Sequence, residues 1–369
     1  MALSPAGNGV LMRLPLDKAL SLGAMRSLLL CALKAVIKQG LVRIGIALFV
    51  VSGVFLAMVL YTTRMPGTSF SADLPALSEE ENILWQEMHE HIHMLCTLIG
   101  ERNYLCPDKL SAAADYIERC FLQYGLLVER QPYTVHGATF YNLCAEKKGN
   151  HDTQNIIVVG AHYDSFVGSP GADDNGSGIA ALLALARRCG AQVHPTTLRF
   201  VAFANEEPPF FWTKNMGSFV YAARCRQRGE QIVAMLSLES LGYYRDELGT
   251  QHYFFPLGFF YPSTGNFIGF VSNIASRNLL RQCIGIFRTY ANFPSQGAVL
   301  PWFLPGVFWS DHWPFWKMGY PAIMVTDTAL FRNPHYHTAG DRPETLDGAR
   351  MARVVAGLVK VIDNLAGAD

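Results

Sequence analysis

Between Gly160 and Gly178 the chain reads GAHYDSFVGSPGADDNGSG, one histidine and three aspartates set among glycines, directly after the apolar run IIVV. Three further apolar runs end the same way: RFVAFANEE, AMLSLES, and IMVTD with NPHYHTAGD shortly after. One carboxylate at the end of a buried strand is ordinarily solvated. Several converging strand ends that each deliver an acid or an imidazole repel one another unless a divalent cation lies among them. Imidazole and carboxylate are ordinary zinc ligands, and one carboxylate can bridge two ions. The glycines around Asp173 and Asp174 let the backbone turn sharply there.

Such a cluster needs elements that aim it. The pattern from Glu79 to about Gly125 is helical, with Gly125 as the stop signal, and LLVERQPYTV and YNLCAEKKG read as strands. NIIVVGAHYD is a buried strand, SGIAALLALARRC a helix, TLRFVAFAN a strand, MGSFVYAARCRQRG a helix and IVAMLSLESLG a strand. A helix over Arg277–Tyr290, a strand at YPAIMVTD and a closing helix from about Glu344 to Leu365 complete the series. Alternation of this kind predicts an α/β fold, a mostly parallel central sheet with helices on both faces, whose functional groups gather beyond the carboxyl ends of the strands. The aromatic, glycine-rich segment Gln251–Ser276 reads as partly a surface insertion.

The 369 residues are half hydrophobic and carry 30 basic against 30 acidic side chains, so the chain can bury a large core and lacks the basic footprint of a nucleic-acid binder. Its 8 cysteines contain no CxxC pair and read as core cysteines or an occasional disulfide, with Cys96 and Cys106 near enough in sequence to bridge. Ile44 to Tyr61, IGIALFVVSGVFLAMVLY, has no charge and is long enough to cross a bilayer. Arg13, Lys18, Arg26, Lys34, Lys38 and Arg43 precede it against Asp17 alone, and Arg64 follows. The positive-inside rule therefore predicts a basic cytoplasmic segment (1–43), a transmembrane helix (44–61), a linker (62–78) and an exported globular domain (79–369). A cleaved signal peptide, with an n-region of unusual length, and a buried core helix are the competing readings. The apolar run Ser27–Ile37, interrupted by Lys34, is too short for a second span.

HYDS, GADDNGSG, NEE, LSLES, SDHWPFWKMGYPA and HYHTAGD, in this order, resemble the motifs of the di-zinc exopeptidases of the bacterial aminopeptidase and glutamate carboxypeptidase type, family M28. The likeness runs from about residue 80 to the end. It implies a zinc-exopeptidase fold, two Zn2+ per chain and a peptide substrate. Matched position by position, it implies that His162 and Glu239 bind one ion, Glu207 and His337 the other, and Asp174 bridges them. Glutamate at position 239 stands where aspartate is the commoner family residue. Glu206 matches the general base, which takes a proton from the attacking water and returns it to the leaving amine. Asp164 matches the acid that orients His162, while Asp173, Asp311 and His312 would support the site by hydrogen bonds. A cis peptide after Asp174 is also implied. Some family members steady the oxyanion with a tyrosine near the SDH motif, but here Val307 and Phe308 offer no side-chain donor. Two alternatives stay open: a single-zinc glutaminyl cyclase of the same fold, and a non-catalytic relative. The histidines of HEHIH (His89, His91, His93) read as part of a solvated or core-edge helix. EEPPFFW and Gln251–Phe270 read as candidate walls of an apolar substrate pocket. The oligomeric state is open.

Overall fold

A computed structural model describes residues 22–151 and 154–367, so the first 21 residues of the expected cytoplasmic segment lie outside it. The chain divides into two units, Met1–Tyr61 and Thr62–Asp369. In the first, one unbroken helix, α1 (Leu22–Thr63), takes in both the expected span and the Ser27–Ile37 run. Its apolar side chains are exposed, and it is long and apolar enough to cross a membrane.

Among its described residues the second unit contains eight strands: β1 (Leu127–Val135), β2 (Ala138–Lys147), β3 (Asn155–His162), β4 (Thr197–Phe203), β5 (Gln231–Glu239), β6 (Ile268–Ser272), β7 (Ser295–Val299) and β8 (Ala322–Thr326). They form one sheet in the order β1-β2-β4-β3-β5-β8-β6-β7. The four central strands β4, β3, β5 and β8 run parallel, β1, β2 and β4 pair antiparallel, and β6 opposes β8 while pairing parallel with β7. The expected mostly parallel sheet is therefore present. β8 is buried throughout and β3 nearly so, as strands covered on both faces must be.

Eight α-helices among the described residues surround the sheet: α2 (Glu79–Ile92), α3 (Pro107–Gln123), α4 (Gly178–Gly190), α5 (Gly217–Gln227), α6 (Arg277–Tyr290), α7 (His312–Lys317), α8 (Ala329–Arg332) and α9 (Gly348–Leu365). Local chemistry fixes several ends. Ser78 and Glu81 form a capping box on α2, Pro107 opens α3, Gly125 follows it with positive φ, and Asp347 caps α9 three residues later than the sequence pattern places its start. The largely apolar stretch Gly178–Ala186 of α4 is wholly buried in the main core with residues of α2 and α9.

Three segments are built in ways that the sequence pattern does not show. Part of the expected surface insertion is β6, an interior strand; Gly269 conceals it in sequence, yet a Cβ there would lie 3.1 Å from the Thr326 carbonyl of the neighbouring strand. β7 also escapes the hydrophobic pattern, and it carries Gly297, where a Cβ would meet Met65 at 2.6 Å. The segment expected as a linker is bound along the second unit: Arg288 donates to the Pro66 carbonyl (3.1 Å), the Ser295 amide to Ser69 Oγ (2.9 Å) and Arg353 to the Pro75 carbonyl. All 8 cysteines are free thiols, six of them buried.

The HEHIH histidines separate by burial. His89 packs against the edge of Trp85, whereas His91 is buried between two tyrosines, Nδ1 2.7 Å from the Tyr116 hydroxyl and Nε2 3.2 Å from that of Tyr124. Burial pushes the His91 pKa down to about 4. The unfolded chain protonates this imidazole near 6.5, so its contribution to stability is complete above that pH and is lost as pH falls toward 4. The expected loss is about 1.4 kcal/mol per pH unit at most. Denaturant titrations across this window should show a shallower pH slope for His91→Gln than for the native chain.

Candidate metal centre

The four central strands deliver their acids and histidines to one edge of the sheet. His162 ends β3, Glu206 and Glu207 lie just past β4, Glu239 ends β5, and the chain leaving β8 passes through α8 to His337. Asp173 and Asp174 occupy the turn at Ala172–Ser177 that leads into α4, and the peptide bond after Asp174 is cis. Several of these strand exits pass through left-handed backbone at non-glycine residues: Asn205 before the paired glutamates, Ser240 after Glu239, Thr328 after β8, and His337 itself. Each costs on the order of 1–3 kcal/mol and persists because the surrounding structure enforces it.

Two groups of donors result, and they share Asp174. His162 Nε2 lies 3.2 Å from Asp174 Oδ1 and 3.4 Å from Glu239 Oε2. His337 Nε2 lies 3.0 Å from Asp174 Oδ2 and 3.4 Å from Glu207 Oε2. Each trio offers ligand atoms within 4.8 Å of one another, the span of a single cation's coordination sphere. Glu207 Oε1 is buried without a hydrogen-bond partner, and His162 Nε2 and Asp174 Oδ1, though 3.2 Å apart, do not meet in hydrogen-bond geometry; buried polar atoms avoid such states unless something else engages them. The donor set of nitrogen and carboxylate oxygen suits zinc. The residues therefore fit a two-ion centre.

Electrostatics point the same way. Burial pushes Glu207 up to about 8, with Asp174 adding repulsion, and raises Glu206 well above the usual carboxylate range, with Glu207, Glu239 and Asp311 adding to the effect. Burial opposes protonation of His162, but Glu239, Asp164 and Asp174 outweigh it and hold the imidazole well above its ordinary pKa. Asp174 goes the other way: burial would raise it, and its contacts with both histidines hold it far below normal. Among protein groups alone, protons must supply the missing positive charge; divalent cations would displace them.

Around these groups stand residues that fix their aim. His162 Nδ1 donates to the Asp164 carbonyl (3.1 Å), leaving Nε2 for the cluster. The Asp164 carboxylate, expected to orient His162, lies 3.6 Å from Nδ1 and instead accepts the amides of Glu206 and Glu207, each at 3.1 Å. Asp173 accepts from the Gly242 amide (2.9 Å) and Asn333 Nδ2 (2.8 Å), away from the donor trios. Of the SDH motif, Ser310 touches the cluster, donating to Glu239 Oε2 at 2.6 Å. Asp311 is buried behind it, pushed up to about 7 by burial, and His312, lowered to about 4 by burial, donates to the Val307 carbonyl at 2.7 Å.

Sequence reasoning assigned no role to four participants. Asp341, quoted in HYHTAGD, accepts the amides of both Asp173 (2.8 Å) and Asp174 (3.1 Å). Arg102 is fully buried and donates to the carbonyls of Tyr163 (2.7 Å), Pro170 (2.6 Å) and Gly171 (2.9 Å), shaping the loop between His162 and Asp174. Ser310 is the third. The fourth, Tyr336, stacks on His337 at 3.8 Å, with Phe166 stacked 4.0 Å from the same imidazole.

Beside Glu239 opens an apolar cavity whose wall includes Tyr253, Phe254, Leu257, Tyr261, Phe270 and Tyr336, so the Gln251–Phe270 segment does wall a pocket. EEPPFFW does not line it; Phe210 packs against Tyr104 and Phe140, and Trp212 stacks on Phe308.

The model of peptidase family M28 matches residues 142–362. An uncharacterized protein of Escherichia coli K12, YfbL, is 36% identical over 288 residues, covering 76% of this chain and 88% of its own. A probable leucine aminopeptidase of Arthroderma benhamiae is 30% identical over 224 residues, 56% of this chain and 54% of its own, so the chain spans about half that protein's length. Among solved structures, the zinc aminopeptidase BSAP of Bacillus subtilis superposes with a TM-score of 0.62 at 14% identity, covering 76% of this chain and 95% of its own. A glutaminyl cyclase of Porphyromonas gingivalis superposes at 0.57 with 19% identity, covering 77% and 98%. At these identities the structures show the shared fold.

The two hydrogen bonds that Asp341 accepts from the amides of Asp173 and Asp174 yield a measurable expectation. Asp341→Ala should lower metal affinity by about 10–100-fold, as loss of groups that orient ligands does, while Asp341→Asn, which keeps one acceptor oxygen, should lose less. Competitive titration against a chelating dye measures both.

Proposed function

The chain belongs to peptidase family M28, and from that premise we propose that it is a membrane-anchored, zinc-dependent aminopeptidase that removes apolar residues from the amino termini of peptides. The observation that carries this reading is the pair of donor trios joined at Asp174, with the buried Glu206 beside them. His162, Glu239 and Asp174 would hold one zinc, and His337, Glu207 and Asp174 the other. When bound, the two ions would supply Lewis-acid polarisation of the scissile carbonyl and lower the pKa of a water from 15.7 toward about 7.

The remaining work falls to the chain's own side chains. Glu206 is held by its amide to the same carboxylate that holds Glu207, so adjacent residues are fixed for different tasks. Glu206 accepts the proton of the attacking water and delivers it to the departing amine. Burial, which raises its proton affinity, suits a group that must hold a proton between two steps. Tyr336 is proposed as the hydroxyl donor to the developing oxyanion, the role that Val307 and Phe308 have no side-chain group to fill. It lines the same cavity as Glu239 and is stacked on His337, which keeps its ring in place. The apolar cavity would receive the side chain of the residue to be released and exclude water around it.

The anchor reading rests on α1, with Arg26, Lys34, Lys38 and Arg43 before its uncharged stretch. It places the catalytic unit on the non-cytoplasmic side. The shared fold leaves a glutaminyl cyclase as the second reading, and the number of donor trios speaks against it, since a one-ion site needs one.

Metal analysis of the purified full-length protein is expected to give two zinc ions per chain, with chelator-sensitive release from leucyl-anilide. One ion with cyclisation of amino-terminal glutamine would establish the cyclase instead. Glu206→Gln should keep its metal and lose about 10²–10⁴-fold in kcat. Unchanged hydrolysis by that metal-loaded variant would sink the assignment. Tyr336→Phe should retain both ions and lose about 10²–10³-fold in kcat, the usual effect of deleting one oxyanion donor.

A further inference from the structure

From Leu248 through Ser310 the chain contains no Asp or Glu and three arginines, Arg277, Arg281 and Arg288, in a molecule with 30 basic and 30 acidic side chains overall. This stretch builds one margin of the fold: the aromatic loop before β6, then β6, α6 and the edge strand β7. The loop is two-sided. Tyr253, Phe254 and Leu257 line the cavity, whereas Phe255 and Phe259 point outward, 87% and 76% exposed, edge to face at 5.9 Å, with Leu248 nearby in sequence at 85%.

Residues 64–66, which follow α1 in sequence, lie on the same margin. Arg281 donates to the Arg64 carbonyl and Arg288 to that of Pro66 (3.1 Å). Met65 packs on Gly297 of β7, and Tyr261, at the end of the aromatic loop, donates to the carbonyl of that same glycine (3.1 Å). Exit segment and aromatic loop thus meet on one residue of one strand.

We propose that this margin rests on the bilayer that α1 crosses, with Phe255, Phe259 and Leu248 entering the interfacial layer. The inference rests on the anchor reading given above. Exposed phenylalanine and leucine side chains bury into the boundary between headgroups and acyl chains. The margin's continuity with the segment that follows α1 selects a lipid surface over a partner protein, because a helix that crosses a bilayer holds this margin close to that bilayer. Docking would seat the outer face of the cavity's aromatic wall on the membrane.

The test uses the full-length protein in vesicles of equal parts phosphatidylcholine and phosphatidylglycerol, in a Cys31→Ser, Cys106→Ser background. An environment-sensitive fluorophore is placed at Phe259→Cys or, for comparison, at the exposed position Val193→Cys, which follows α4. Flotation after carbonate washing reads the anchor; emission and quenching by headgroup-proximal spin-labelled lipid read the docking. Blue-shifted, quenched emission at 259 but not at 193, in protein that floats and still hydrolyses soluble peptide, is the expected result. Protein that floats yet reports the same aqueous surroundings at both positions would overturn the docking and leave the anchor standing. Protein that fails to float would overturn the anchor, and the docking with it.

Discussion

A buried congregation of carboxylates is the constraint on which this structure turns. Asp164, Asp173, Asp174, Glu206, Glu207, Asp311, Asp327 and Asp341 are all buried near the carboxyl ends of the parallel strands. Ionised carboxylates in such a place must be paired, hydrogen-bonded or neutralised, because desolvation otherwise drives them to take up protons. The fold meets the demand by dividing the acids between two kinds of partner. Asp174, Glu207 and Glu239 face histidines, whereas Asp164, Asp173 and Asp341 accept main-chain amides.

That division explains why the surrounding backbone is so irregular. An amide can point at a carboxylate only if the chain turns, and the turns coincide with left-handed residues at Asn205, Ser240 and His337. Arg102 performs the complementary task, saturating carbonyls of the loop between His162 and Asp174 that regular structure would otherwise have satisfied. Binding atoms and their supports are therefore one hydrogen-bonded object, with contacts reaching from residue 102 to residue 341.

Much of this was legible in the sequence because each donor of the two trios except His337 sits at or just beyond a strand end or at the mouth of a helix, where an apolar run stops abruptly at an acid or an imidazole. His162, Asp174, Glu207 and Glu239 announce themselves in this way. The supporting groups do not. Asp341 meets Asp173 across 168 residues and Ser310 meets Glu239 across 71, and neither type is unusual where it stands. Tyr336 and Ser310 lay inside motifs already quoted, yet a motif does not say which of its members turns inward. β6 and β7 were hidden because Gly269 and Gln296–Gly297 interrupt the run of β-branched and aromatic residues by which strands are recognised.

The strap formed by residues 64–78 carries a different consequence. β7 closes the sheet, and an uncovered edge strand offers its unpaired amides and carbonyls to any other chain. Here Ser69 occupies the Ser295 amide and Met65 blankets Gly297, so the chain arriving from α1 also serves as a guard against edge-to-edge aggregation. A fragment that begins at α2 would discard that guard. One cut at Thr62 would keep it, and with it the protection of the sheet's last strand.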